Sequence, residues 1–328
     1  METSYPAKSF VLSQPGDLHR NCGKGRPAHD EFNGRMLRPL PKGWAMICVR
    51  DSLSQMALIA AATLVSAAAA HANSASPWSD DIRSSARLIA GSVTAGNVPG
   101  NSVTLRAGIE IKLQPGWKTY WRYPGDSGVP PQFDFAGSEN LVSAEVLYPA
   151  PHSFKDEAGT SIGYKETVIF PVRVTPRDPS KPVKLNAKID YAVCEKLCIP
   201  AEAKAQLVIE RNGAASEALT AAEAMVPKHV PASEISLKLK RTGAKPKPLV
   251  TLDVAAAEGD PVEVFVEGPG KDWALPIPKP VQGAPKGHRH FSFDFDGLPP
   301  GADPMGKYDL IVTVVTPTRA FEAATRLD

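Results

Sequence analysis

Beyond residue 72 this chain has no apolar run long enough to span a bilayer, so a soluble mature protein is expected. Excess charge of one sign is missing too. The net charge is +2 and no long basic stripe occurs, so no nucleic-acid partner is expected, because phosphate-backbone binding needs clustered Lys and Arg. Long helical patterns are few, while 32 Pro and 25 Gly favour strands and turns. No Ser-His-Asp order, phosphate-binding loop or glycosidase-like carboxylate pair stands out, and no cofactor is expected. His288 and His290 alternate along one segment, but with no neighbouring cysteine or carboxylate set they read as solvated side chains, and no metal site is expected.

Cysteine is scarce, and its placement matters. Met56–Ala70 (MALIAAATLVSAAAA) is uncharged, follows Arg50, and leads into Ala70-His71-Ala72, a small-x-small site. That is the layout of a secretory signal peptide, assigned to 46–72 with cleavage after Ala72. As a helix the apolar run would reach about 22 Å, short of the roughly 30 Å hydrocarbon core, so no stable membrane anchor is expected. Residues 1–45 are rich in Pro, Gly and Arg and read as a leader or a misassigned start. Cys22 and Cys48 would then be lost, and four cysteines become two, Cys194 and Cys198, in a compartment where disulfides persist.

The mature chain reads as all-β. Val103–Leu113 alternates with period two, and Leu141–Leu147, Val168–Val174, Leu185–Tyr191 and Ala203–Ile209 read as further strands. Between them, Tyr123–Pro131 and Pro149–Pro151 are turn-rich connections. Ser216–Met225 is the one helix expected, capped by Ser216 and stopped by Pro227. Strands resume at Ile235–Leu239, Leu249–Val254, Val262–Val266, Phe291–Phe295 and Tyr308–Val315. The expected architecture is an antiparallel β-sandwich over 73–212, a helical linker at 213–231, and a second, smaller sandwich over 232–328. Trp117, Tyr120, Trp121 and Tyr123 read as sandwich core rather than a ligand platform.

Chemistry concentrates in Cys194-Glu-Lys-Leu-Cys198-Ile-Pro200. Cysteines so close pair only across a compact turn that brings their Cα atoms within about 7 Å. Such a short loop restricts the unfolded chain by about 2 kcal/mol, against about 4.7 for a 100-residue loop. A staple would therefore do better between distant strands, yet the spacing alone leaves a structural bond and a redox pair both open. Two thiolates also suit Cu(I), but six Met without a cluster argue against a dedicated copper carrier.

Four motifs occur in order: Gly116-Trp-Lys-Thr-Tyr-Trp-Arg-Tyr-Pro-Gly-Asp-Ser-Gly-Val-Pro-Pro131, Tyr148-Pro-Ala-Pro151, Tyr164 with Phe170-Pro171, and the C-x3-C-Ile-Pro200 stretch. Together, over Ser84–Arg211, they resemble the N-terminal periplasmic domain of the thiol:disulfide interchange protein DsbD. The longer relatives linked to copper-stress tolerance, called ScsB, are more similar still. The resemblance implies an immunoglobulin-like sandwich whose cysteine pair, here Cys194 and Cys198, relays electrons. The implied partners are a membrane-embedded thiol reductase of the DsbD or CcdA kind and periplasmic thioredoxin-like proteins. It also implies a cap loop within His152–Gly159, with Phe154 as lid and Asp156, Glu157 and Tyr164 tuning access or proton transfer.

DsbD continues into a membrane domain and a thioredoxin domain. Neither pattern occurs in this sequence, so a separate membrane donor is expected. In the exchange itself, one thiolate attacks a partner disulfide and the second cysteine resolves the mixed species. Lys196 favours a thiolate and Glu195 opposes it. The expectation is Cys194 as the resolving partner of a more exposed Cys198.

Overall fold

The computed structural model describes residues 74–92, 104–126, 128–156, 159–213, 216–257 and 259–328. The expected leader and signal peptide, Cys22, Cys48 and Glu157 lie outside the described residues. Among those described, no helix is long and apolar enough to cross a membrane.

Period-two patterning becomes eleven strands in the first half: β1 (Ser79–Asp80), β2 (Ser84–Ala90), β3 (Leu105–Leu113), β4 (Lys118–Gly125), β5 (Gln132–Asp134), β6 (Leu141–Val146), β7 (His152–Asp156), β8 (Gly159–Lys165), β9 (Thr167–Pro176), β10 (Val183–Cys194) and β11 (Cys198–Ile209). They form two sheets, ordered β1-β2-β3-β9-β6 and β11-β10-β4-β8-β7, with β5 added on β10. In β3 the alternating Leu105, Ala107, Ile109, Ile111 and Leu113 are all buried and share one core with Phe170, Leu185 and Ile189. Each such Leu or Ile contributes about 1.5–3 kcal/mol relative to exposure, which is why alternation sets the facing of every strand.

The second half holds α1 (Glu217–Ala224), then β12 (Lys228–His229), β13 (Lys238–Thr242), β14 (Leu249–Ala255), β15 (Glu263–Glu267), β16 (Lys279–Val281), β17 (His288–Asp294), β18 (Tyr308–Val315) and β19 (Ala320–Leu327). Its sheets run β12-β19-β18-β15 and β13-β14-β17-β16. Pairing is antiparallel except between β12 and β19. The chain is thus an all-β protein of two successive sandwiches.

Helix α1 begins as read: the Ser216 hydroxyl accepts from the Leu219 amide. It does more than connect, because fully buried Leu219 seats against Gly91 and Gly108 of the first sandwich, and Arg106 pairs with Glu223. Three expectations shift. His152–Asp156 is strand β7, hydrogen-bonded to β8, rather than a free loop. The strand expected over Ile235–Leu239 starts only at Lys238, because Ser236 has φ 50° and Leu237 closes a turn onto Ala232. Nor are His288 and His290 without a carboxylate: Asp253 Oδ1 lies 2.8 Å from His288 Nδ1 and 3.7 Å from His290 Nε2.

The two sandwiches share a boundary built on β15. Val264 and Val266 enter the second core, whereas Phe265 belongs to the first, its ring tilted against Trp121 at 5.7 Å between ring centroids. On the Phe265 side, Glu267 binds Arg122 and Glu263 binds β7. Arg122 is further held by the buried Glu322 of β19.

Candidate functional site

Strands β10 and β11 form a hairpin of twelve consecutive residue pairs, ending with Cys194 opposite Cys198. Glu195, Lys196 and Leu197 make the exposed turn between them. The turn brings the two Cα atoms to 4.2 Å, and the sulfurs are bonded. The environments of the two differ. Cys194 is 2% exposed, while Cys198 is open to solvent. Beside it, Leu197 is 78% exposed, more than any other large apolar residue among those described.

The face behind the disulfide follows from strand register. Cys194 pairs with Lys118 of β4, and Lys118 pairs with Lys165 of β8, so Cys198, Cys194, Lys118 and Lys165 form one row across four strands. Tyr120, two residues along β4 from Lys118, points to the same side. Its ring packs with Ala192 and Cys194, apart from the main core. The Tyr120 hydroxyl donates to Cys194 Sγ at 2.7 Å and lies 3.2 Å from Cys198 Sγ. Burial, and then the Asp156 carboxylate, push its pKa up, so it stays protonated and able to donate.

Two glycines allow close approaches here, one to the ring and one to the backbone of β4. A Cβ on Gly128 would lie 2.6 Å from the Tyr120 ring, so the β4–β5 connection lies directly on it. A Cβ on Gly163, opposite Tyr120, would stand 1.9 Å from the Thr119 carbonyl oxygen. Only glycine permits that approach of β8 to β4. Thr119 Oγ1 then ties β4 to β10 by donating to the Ala192 carbonyl at 2.9 Å.

Of the residues expected to tune access, Asp156 reaches this face: its Oδ2 lies 2.5 Å from the Nζ of the buried Lys118. Phe154 is half-buried on β7 with the Lys165 ammonium 4.5 Å from its ring centroid, which joins it to the same row. Tyr164 is on the other side of the sheet. It is core, edge-on to Phe170 at 5.4 Å, and its hydroxyl donates to the Pro149 carbonyl at 2.8 Å. Burial, and then the neighbouring Tyr148, drive its pKa well up. Tyr120 was passed over as core in the sequence reading. Its parity could have flagged it, since Trp121 and Tyr123 share odd positions along β4, as does Trp117 just before it, and Tyr120 does not. Among the described residues no group of three or more His, Cys, Asp or Glu could hold a metal ion.

This geometry is a partly exposed disulfide at a hairpin tip with a proton donor behind the inner sulfur. Residues 87–210 match the family model described as thiol:disulfide interchange protein DsbD, N-terminal. This part of the chain resembles the DsbD N-terminal family. At the family level, its chemistry is thiol–disulfide interchange. The fold is similar to the crystal structure of the N-terminal periplasmic domain of ScsB from Proteus mirabilis, with a TM-score of 0.58 at 20% identity. That likeness covers 78% of this chain and 98% of the ScsB domain, so it takes in both sandwiches. No match was found among the curated proteins.

Proposed function

We propose that this is a periplasmic thiol–disulfide exchange protein, exported by the signal peptide at 46–72. In this reading, 73–212 is the redox domain, 213–231 a linker and 232–328 a second domain. It relays electrons through a reversible Cys194–Cys198 bond between a separate membrane reductase and periplasmic thioredoxin-like partners. The observation that carries the reading is the asymmetry of the pair: one sulfur open to solvent, the other buried and hydrogen-bonded to Tyr120.

The chemistry runs as two exchanges. A donor thiolate attacks Cys198 Sγ, the accessible sulfur; the Cys194–Cys198 bond breaks and Cys194 leaves as a thiolate. The Tyr120 hydroxyl donates to that developing charge, a charge-assisted bond stronger than a neutral one. A second donor thiol then releases reduced protein and leaves with its own disulfide. In the opposite half, Cys198 thiolate attacks an acceptor disulfide, and Cys194 resolves the mixed species, returning two electrons to the acceptor. A merely structural bond is the poorer account, since a hairpin already held by twelve residue pairs gains little from closing a three-residue turn.

Capture of mixed disulfides tests the reading. Cys194→Ser, which leaves the open sulfur, should accumulate covalent complexes with thioredoxin-like proteins of the envelope, and Cys198→Ser should not. A wild-type pair that is always oxidised in cells, with neither variant trapping a partner, overturns the redox role.

A further inference from the structure

The second sandwich carries no cysteine, yet its polar and aromatic ties to the first fall on two strands of the redox site. Three side chains on one side of β15 make most of them. Glu267 binds Arg122 on β4, with its Oε1 2.6 Å from Arg122 Nη2. Phe265 packs at a tilt against Trp121, also on β4. Glu263 grips β7: its Oε1 accepts from the Ser153 amide at 2.8 Å and from Ser153 Oγ at 2.5 Å, and its Oε2 lies 2.9 Å from His152 Nδ1. Strand β4 carries Lys118 and Tyr120, and β7 carries Phe154 and Asp156.

Strand β7 needs such a grip. It is a five-residue edge strand whose only sheet partner among the described residues is β8. Its far end places Asp156 on Lys118, which lies in register with Cys194. So one end of β7 is fixed by the second sandwich, and the other sets the charge balance beside the sulfurs.

We infer that Glu263 is a positioning residue for the redox site: the second sandwich, through β15, holds β7 so that Asp156 neutralises Lys118 and the disulfide is kept less reactive. This rests on the redox reading and extends it by giving the second sandwich a part in the chemistry. Freed of Glu263, β7 lets Asp156 withdraw. The Lys118 ammonium then lies uncompensated next to Cys194 and favours its thiolate as the leaving group.

The test uses the full chain and a small dithiol reductant in place of any partner. Glu263→Ala should raise amide exchange along β7 by about tenfold, the scale of losing hydrogen bonds to a charged acceptor. The same variant should reduce about threefold faster at fixed pH, and its disulfide potential should move to less negative values. Glu263→Gln, which keeps an acceptor for Ser153, should restore most of the original rate. His152→Ala with Ser153→Ala, two exposed changes that leave β15 intact, should act like Glu263→Ala and serves if the latter does not fold. Looser β7 amides with an unaltered reduction rate and potential would overturn the inference, as would unaltered amides. Because the reductant is a small molecule, inertness towards thioredoxin-like proteins would sink the exchange reading while leaving this one decided separately.

Discussion

The Tyr120 hydroxyl spans the two sulfurs of the disulfide, 2.7 Å from Cys194 and 3.2 Å from Cys198. A bonded sulfur is a weak acceptor and a thiolate a strong one, so the contact favours the reduced state. Tyr120→Phe should therefore make the potential more negative by about 30 mV, equivalent to about 1.4 kcal/mol. Equilibration against a glutathione series measures it, and an unchanged or more positive potential contradicts the role given to the hydroxyl.

The unequal exposure of the pair predicts unequal reactivity. In reduced protein, Cys198 should be alkylated at least about tenfold faster than the buried Cys194. Peptide mass mapping after a timed iodoacetamide pulse reads the ratio directly.

Leu197 offers a separable prediction. An apolar side chain this exposed next to a reactive sulfur is a natural anchor for a docking protein, while its removal costs the fold nothing. Leu197→Asp should leave thermal stability within about 0.5 kcal/mol. Exchange with a thioredoxin-like partner should slow, and reduction by a small dithiol should not. Equal slowing with both reductants would assign Leu197 to the disulfide's own environment instead.

The grip of Glu263 on β7 depends on pH in a defined sense. Hydrogen bonding to Glu263 raises the His152 pKa above 6.5, so its contribution is complete below 6.5 and is lost as pH rises through the folded value. Burial pushes the Glu263 carboxyl up, but the hydrogen bonds from His152 and Ser153 together bring its pKa below 4.5, so its contribution is present above 4.5 and is lost as pH falls through the folded value. Protection of the β7 amides should peak between those limits and fall on either side. Exchange rates corrected for intrinsic pH dependence would show it; a flat profile removes the ion pair from the account.

Gly163→Ala tests the close approach of β8 to β4. A methyl group 1.9 Å from the Thr119 carbonyl forces the strands apart, and a cost of about 1–3 kcal/mol or more is expected. Denaturant unfolding measures that cost, and the displaced Tyr120 should alter the disulfide's potential in the same variant.

Much of this was legible in the residues themselves. Alternation in Leu105–Leu113 and Tyr308–Val315 places strands where they lie, and Ser216 marks the helix start. The cysteine pair stands out because nothing else in the sequence after residue 72 offers comparable chemistry. Its surroundings were harder to read, for physical reasons. Lys118 meets Cys194, and Asp156 meets Lys118, only through register between strands distant in sequence. Asp253 between His288 and His290 was hidden in the same way. Tyr164 and Tyr120 are both aromatic residues near turns, and only the parity of each strand separates the core residue from the one that touches sulfur.

Strand β15 has no idle side. Its sequence, Glu-Val-Phe-Val-Glu, sends two valines one way and an acidic–aromatic–acidic trio the other. Inserting or deleting a single residue there would swap the sets, driving two carboxylates into the second core and two valines against Arg122 and Ser153. Length variation among natural variants should therefore gather in the flanking loops and spare this five-residue frame.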